Sequence, residues 1–326
     1  MPATLERTKQ SSKRSGEKPA GAKQATGVGA AIDFGVTGLR VLRADGKSGV
    51  APSSWKPTEL ATPPELLERP TDRLLWQLDQ LPKLAGRAGV KGRRTAFSIP
   101  AGQTLCKHLQ LGRAESPVEL ADEAARALSE QAGLEPGQMI CRVEQVQGSE
   151  RGSKLESICV ATSRAFVVRL MQAMKAARLK PVAAHSELHA LWHAGSSLVR
   201  DENDRPYESP TMLIDIGAGR TNVIVATPGE LLFARSVESD GETPDDALCD
   251  EIALCARYQS SIGAQRTPER AALVGEAANG SIAEALGRTL EVPVVMGAPW
   301  TPKGPRVDRP LAWAVALGLC LGPTDL

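Results

Sequence analysis

Aromatic side chains are what this sequence has least of. Phenylalanine, tryptophan and tyrosine make up 3% of its 326 residues, too few for the base-stacking platforms that hold single-stranded nucleic acid. An excess of one charge is missing as well. The 39 Lys and Arg against 38 Asp and Glu leave a formal net charge of +1, which excludes a chain that binds nucleic acid as a polycation. The longest apolar run, Leu311 to Leu321, is too short to span a bilayer, and no secretory h-region follows Met1. The six cysteines (Cys106, Cys141, Cys159, Cys249, Cys255 and Cys320) form no C-x-x-C pair, which predicts buried free thiols in a reducing cytoplasm.

Several catalytic signatures are also missing. No G-x-x-x-x-G-K-[ST] occurs, so the chain is not a P-loop protein. Gly27-Val28-Gly29 begins like a dinucleotide fingerprint, but Ile32 stands where the third glycine belongs and the turn precedes its strand. His185, His189 and His193 recur every four residues, which would place them on one helix face, yet Ser186 stands where a zinc-hydrolase helix needs glutamate. No Ser–His–Asp or Cys–His arrangement has supporting context.

What is present reads as an ordinary soluble globular chain, 42% hydrophobic and 24% charged, long enough for two domains or one duplicated fold. Residues 1–26 are rich in Lys, Ser, Gly and Pro with almost nothing apolar, so they are expected to be a disordered basic tail. From Val28 the pattern alternates strands and helices. GAAIDFGVTGLRVLRADGK reads as strand, turn, strand, and residues 51–70 as a proline-rich connection. Leu74, Leu75, Leu78 and Leu81 have helical spacing, with Pro82 marking an end or a kink. Ser116-Pro117 opens an amphipathic helix that Gly133 closes. Strands, a helix stopped at Lys180-Pro181, then TMLIDIGAGRTNVIVATPGELLFARSV as three strands complete the middle. Helix, strand, helix, strand and the apolar helix LAWAVALGLCLG finish the chain.

One internal echo carries chemistry. AIDFGVTGLRVLRADG and LIDIGAGRTNVIVATPG share a plan of apolar pair, Asp, apolar, Gly, small-residue turn and strand, with Asp33 matching Asp215 and Gly35 matching Gly217. The second turn reads as one residue longer. Copies more than half the chain apart predict a duplicated fold with one hairpin per half. A strand ending in Asp-x-Gly and turning tightly back presents several backbone N–H groups, a nest for phosphate oxygens. The aspartate can hold a hydrated Mg²⁺ through its water shell.

The two Asp-x-Gly hairpins, the later LVGEAANGSIAEALGRTLEVPV and the closing LAWAVALGLCLG resemble the actin-like ATPase superfamily. Within it they are most similar to the PilM-like family of type IV pilus assembly proteins, also called competence protein A. The resemblance runs from about residue 28 to 322 and includes FSIPAGQTLCKHLQL…VELADEAARALSEQAG…MICRVEQVQ…LESICVATSRAFVVRLMQAMKAARLKP, where that family carries an accessory subdomain. The phrase LKPVAAHSELHAL places Glu187 at the family's usual glutamate. The resemblance implies an α/β, duplicated actin-like (RNase H-like) fold with an inserted small α+β subdomain. The expected layout is tail 1–26, first half 27–92, accessory unit 93–180, interdomain helix and loop 181–210, and second half 211–326.

It implies ATP and Mg²⁺ as cofactors. Asp33, Gly35, Thr37, Gly38 and Arg40 would come from the first hairpin, and Asp215, Gly217, Gly219, Arg220, Thr221 and Asn222 from the second. Glu187 and the adenosine turn Gly275-Glu276 would complete the site, with Asp33 and Asp215 holding Mg²⁺ through water. The chain departs from the pattern at Arg40, where lysine is usual, and at Gly38, where a second hydroxyl is. Gly275-Glu276-Ala277-Ala278 keeps one glycine of the adenosine turn, and the stretch from Gly241 to Tyr258 is short, so the outer subdomain of the second half reads as trimmed. Weak nucleotide binding and at most weak ATP hydrolysis follow, with no catalytic residue assigned.

The partner implied is an inner-membrane PilN-like protein whose short N-terminal peptide meets the accessory unit, with LCKHLQL and LESICVATS as the available strand edges. Location would be cytoplasmic, peripheral to the inner membrane, with membrane contact indirect, no nucleic acid, and self-association left open. Two alternatives stand beside this reading. One is a degenerate scaffold without nucleotide, like the cytoplasmic part of the secretion protein GspL. The other is a sugar-kinase-type phosphotransferase, which needs a carboxylate base against the substrate hydroxyl.

Overall fold

The structure is a computed structural model that describes residues 27–45, 55–114, 116–199, 208–238, 246–262, 266–297 and 307–324. The expected basic tail 1–26 lies outside the described residues, as do residues 241–245 of the stretch expected to be trimmed.

Two five-stranded sheets are built on one plan. In the first half, β1 (Ala30–Phe34), β2 (Gly38–Ala44) and β3 (Trp55–Ala61) form an antiparallel meander. Then α1 (Pro70–Arg87) leads to β4 (Arg94–Ile99), and α3 (Arg164–Ala176) leads to β8 (Lys180–Ser186). In the second half, β9 (Thr211–Ile216), β10 (Arg220–Thr227) and β11 (Glu230–Glu238) form the meander. They are followed by α5 (Asp246–Ile262), β12 (Arg270–Val274), α6 (Gly280–Leu290) and β13 (Val294–Met296). The sheet orders are β3-β2-β1-β4-β8 and β11-β10-β9-β12-β13, so each strand has its counterpart in the same place. The last two strands of each order run parallel to the first strand of their meander, as helical crossovers require. Each half closes with a helix, α4 (Glu187–Leu198) and α7 (Ala314–Leu321), and these two helices pack against each other between the sheets.

The third sheet, β5-β7-β6, consists of β5 (Thr104–Gly112), β6 (Met139–Gln145) and β7 (Lys154–Ser163), and α2 (Pro117–Ala132) covers one face. Ser116 caps α2 by accepting from the Glu119 amide, and Gly133 ends it at φ 62. The unit is narrower than the expected 93–180. β4 pairs with β1 and β8, and Val167, Leu170 and Met174 of α3 bury themselves with Leu81 and Leu84 of α1, so both elements belong to the first half. The accessory unit occupies the link between β4 and α3, and the short Gly275–Asn279 turn occupies the equivalent link in the second half.

Three local readings change. The connection at 51–70 contains β3, which pairs along the full length of β2 through Pro57 and Glu59, an edge position that tolerates proline. Pro82 lies inside α1 and does not end it, because Leu84 and Ala85 continue beyond it the face that Leu81 buries before it. The two hairpin turns are equal in length. Asp33 pairs with Arg40 and Asp215 with Asn222, each seven residues on, so Asn222 is the counterpart of Arg40.

Strand alternation positions the chemistry. In β1, Ala30, Ile32 and Phe34 face α1 and α3, whereas Ala31 faces the core shared with α4 and α7. Asp33 shares the Ala31 face, so it points toward the other half. Among the described residues no helix is long and apolar enough to cross a membrane.

Candidate functional site

A cleft of about 450 Å³ opens between the two Asp-x-Gly hairpins. Its floor holds Asp33, Asp215 and Glu187, from the ends of β1 and β9 and the first turn of α4. Asp33 is 3% exposed. It accepts from the Ser98 hydroxyl at 3.1 Å and lies 3.5 Å from the Arg40 guanidinium. Asp215 accepts from the Asn222 amide at 3.4 Å. Each hairpin thus gives its aspartate a cross-strand partner, cationic in the first and neutral in the second. Glu187 accepts from the Ala101 amide at 3.1 Å and from Asn222 at 3.0 Å, so it ties the root of the accessory unit to the second hairpin. Ser236 donates to Asn222 at 2.7 Å and fixes that amide.

Burial dominates the electrostatics. It pushes Glu187 up to about 7, with the nearby charges of Asp33 and then Asp215 adding to the shift. It pushes Asp215 up to about 6 against the lowering effect of Asn222. Asp33 is raised too, again mainly by burial, with Arg40 opposing.

Arg40 is the hub of a second cluster at the mouth. Besides Asp33, it reaches Glu59 at 3.1 Å, the Thr37 hydroxyl at 3.0 Å and Glu276 at 2.9 Å. Arg309 contacts Glu59 at 2.9 Å, Thr37 at 3.4 Å and Glu276 at 3.7 Å. Thr37 also donates to Glu276, whose other oxygen accepts from the Ala218 amide at 3.2 Å. Gly275 holds this turn at φ +98. A Cβ there would lie 2.6 Å from Asp215 Oδ1 and from the Ile216 amide, so glycine is required on both counts.

Of the residues singled out from sequence, Asp33, Gly35, Arg40, Glu187, Asp215, Gly217, Gly219, Arg220, Asn222, Gly275 and Glu276 line the cleft. Thr37 sits beside it through its bonds to Arg40 and Glu276. Gly38 is not among the lining residues; a side chain there would run into Glu59. Thr221 is fully buried and turned away, because its neighbour Asn222 takes the cleft-facing side of β10. Glu59, Arg309, Gln77 and Ser98 were not foreseen. Gln77 donates to the Gly35 carbonyl at 2.7 Å from α1, and no local spacing announces such a contact. The histidine triplet does not share a helix: Ser186 caps α4, so His185 stays in β8, although its ring meets that of His193 at 5.3 Å.

A magnesium triphosphate would fit this cleft only with the Glu276 side chain displaced. The Thr37 hydroxyl, the Arg40 guanidinium and one backbone donor, the Ala218 amide, are bonded to Glu276, and Arg40 and Arg309 are committed to carboxylates. Among the described residues no three His, Cys, Asp or Glu side chains are placed to ligate a metal, so Asp33 and Asp215 would act on one only through water.

No protein-family model and no curated protein sequence matches the chain. Solved structures do. A chain of the PilM–PilN type IV pilus biogenesis complex matches with a TM-score of 0.65 at 18% identity, covering 90% of this chain and 97% of that one. The cytoplasmic domain of EpsL, an inner-membrane component of the type II secretion system of Vibrio cholerae, matches at 0.47 and 8% identity, covering 89% and 93%. A Bacteroides thetaiotaomicron protein with an actin-like ATPase fold and unknown function matches at 0.46 and 13%, covering 83% and 91%. The match at 0.65 shows the fold, the duplicated actin-like fold expected from the sequence, carrying an inserted α+β unit.

Proposed function

We propose that this chain is a cytoplasmic actin-like scaffold of a type IV pilus or related secretion machine, and that its accessory unit holds an inner-membrane PilN-like partner. The observation that carries this reading is the likeness to the PilM–PilN complex, which runs through both halves and the inserted unit and covers 97% of the matched chain. The accessory sheet suits such a role physically. One face is closed by α2, and the other leans on the second half, where His108 meets the Ala234 carbonyl at 3.1 Å and Cys106 meets it at 3.3 Å. β7 is the middle strand, paired on both sides, so LESICVATS offers no edge; β5 and β6 are the edges on which an extended peptide can add main-chain hydrogen bonds.

Adenine nucleotide with Mg²⁺ is the small ligand we assign to the central cleft, bound weakly, because Glu276 already satisfies the phosphate donors. The same observation favours, as second reading, a scaffold that works without nucleotide. The partner assignment is tested by capture of a PilN-like N-terminal peptide by the full chain and by a chain with residues 101–162 replaced by a short linker, after thermal unfolding confirms that the remainder folds. Loss of capture supports the assignment; undiminished capture places the interface elsewhere. Calorimetry with ATP, with and without Mg²⁺, separates the two cleft readings.

A further inference from the structure

The carboxylate of Glu276 touches both hairpins at once. One oxygen takes the Ala218 N–H from the turn of the second hairpin. The other takes the Arg40 guanidinium and the Thr37 hydroxyl from the first, with Arg309 at 3.7 Å beyond. A turn amide, a hydroxyl and guanidinium groups converging on one anionic group make the donor set that recognises a phosphate oxygen. Here the anion belongs to the chain. Its placement is fixed from both sides, since the Gly275 amide donates to the Leu311 carbonyl and the Ala277 amide to the Ile216 carbonyl, each at 3.1 Å. The turn that presents Glu276 is therefore pinned to the second half, and the donors it engages lie mostly in the first.

We propose that Glu276 is a resident occupant of the phosphate nest, which latches the two halves together without a nucleotide and must leave before a phosphate anion can enter. The inference deepens the assignment of the cleft to nucleotide and rests on it. A tethered carboxylate competes at a high effective concentration. If the latched form holds about 99% of the population, an entering anion binds roughly a hundredfold more weakly than to the open form. Closure of the cleft is then the ground state of the scaffold, and a phosphate ligand exchanges one anion for another across the same two hairpins.

The test uses the full chain, Glu276→Gln, which keeps the side-chain volume, and Glu276→Ala. Each is titrated calorimetrically with inorganic pyrophosphate and with ADP in excess Mg²⁺. The proposal expects both variants to bind pyrophosphate at least tenfold more tightly than the unaltered chain. It also expects faster hydrogen exchange at the Ala218 amide in Glu276→Ala, a readout that needs no ligand. Equal affinity in all three proteins overturns the latch and leaves the phosphate nest standing. Absence of pyrophosphate and ADP binding in every protein overturns the nest itself and the latch with it.

Discussion

Gly318→Ala is the substitution through which the joint between the two halves is tested most directly. Gly318 lies in α7 against α4, and a Cβ added to it would fall on the Ala190 carbonyl group, 2.5 Å from its carbon, 3.1 Å from the Ala190 Cα and nearer still to its oxygen. Real Cβ atoms essentially never come within 3.0 Å of such atoms, and these belong to a helix backbone that cannot rotate aside. The helices would have to part locally, and around the contact Ala190, Leu191, Ala194, Val315 and Leu319 are all buried in the shared core. Overpacking of this kind costs about 1–3 kcal/mol when side chains can adjust. With backbone as the obstacle the upper value applies, and about 3 kcal/mol corresponds to a fall in Tm of roughly 4–5 °C for a chain of 326 residues. Ala190→Gly should not rescue the variant, because the clash is with the carbonyl rather than the methyl. Gly137→Ala serves as control, since a Cβ there meets nothing within 4 Å. Thermal unfolding by circular dichroism is the assay. A Gly318→Ala protein that melts within about 1 °C of the unaltered chain refutes the close-packed joint, since a clash of this size predicts several degrees.

Two further predictions concern the cleft. Glu187 is raised from 4.5 to about 7, so the folded state holds a proton that the unfolded state releases between those values, and stability is lost as pH rises through that window. His193, lowered by burial to about 3, gives the opposite slope up to its ordinary value of 6.5, so the diagnostic quantity is the difference between the unaltered chain and Glu187→Gln. That difference should move against the unaltered chain from pH 4.5 to 7 by on the order of 2–3 kcal/mol in denaturant titrations, and a flat difference would show that Glu187 is not held neutral. Arg40→Met should destabilise by about 3–5 kcal/mol, since it leaves Asp33, Glu59 and Glu276 facing one another without their shared cation. A loss below about 1 kcal/mol in the same titration would mean that the cluster is screened by water, as exposed ion pairs are.

The repeat of apolar pair, Asp, apolar and Gly was enough by itself to announce a duplicated fold with two facing hairpins, because strand period and glycine-dependent turns are local properties of the chain. The same locality made Ser116-Pro117 and Gly133 legible as the bounds of α2, and it brought Asp33 and Asp215 forward as site residues, whereas Arg40 and Asn222 came only from the family resemblance. What sequence could not supply was register and partnership. Equal turn lengths in the two hairpins, with Asn222 answering Arg40, emerge only from cross-strand pairing. β4 joins the first sheet rather than the inserted unit because its backbone groups find β1 and β8, strands that lie far from it along the chain. The role of Glu276 was the least legible of all. The family resemblance implied only that it was one residue of an adenosine turn, but its contacts with Thr37 and Arg40 cross more than 230 positions of sequence. Charge pairing acts through space, and only folding brings that carboxylate within reach of both hairpins.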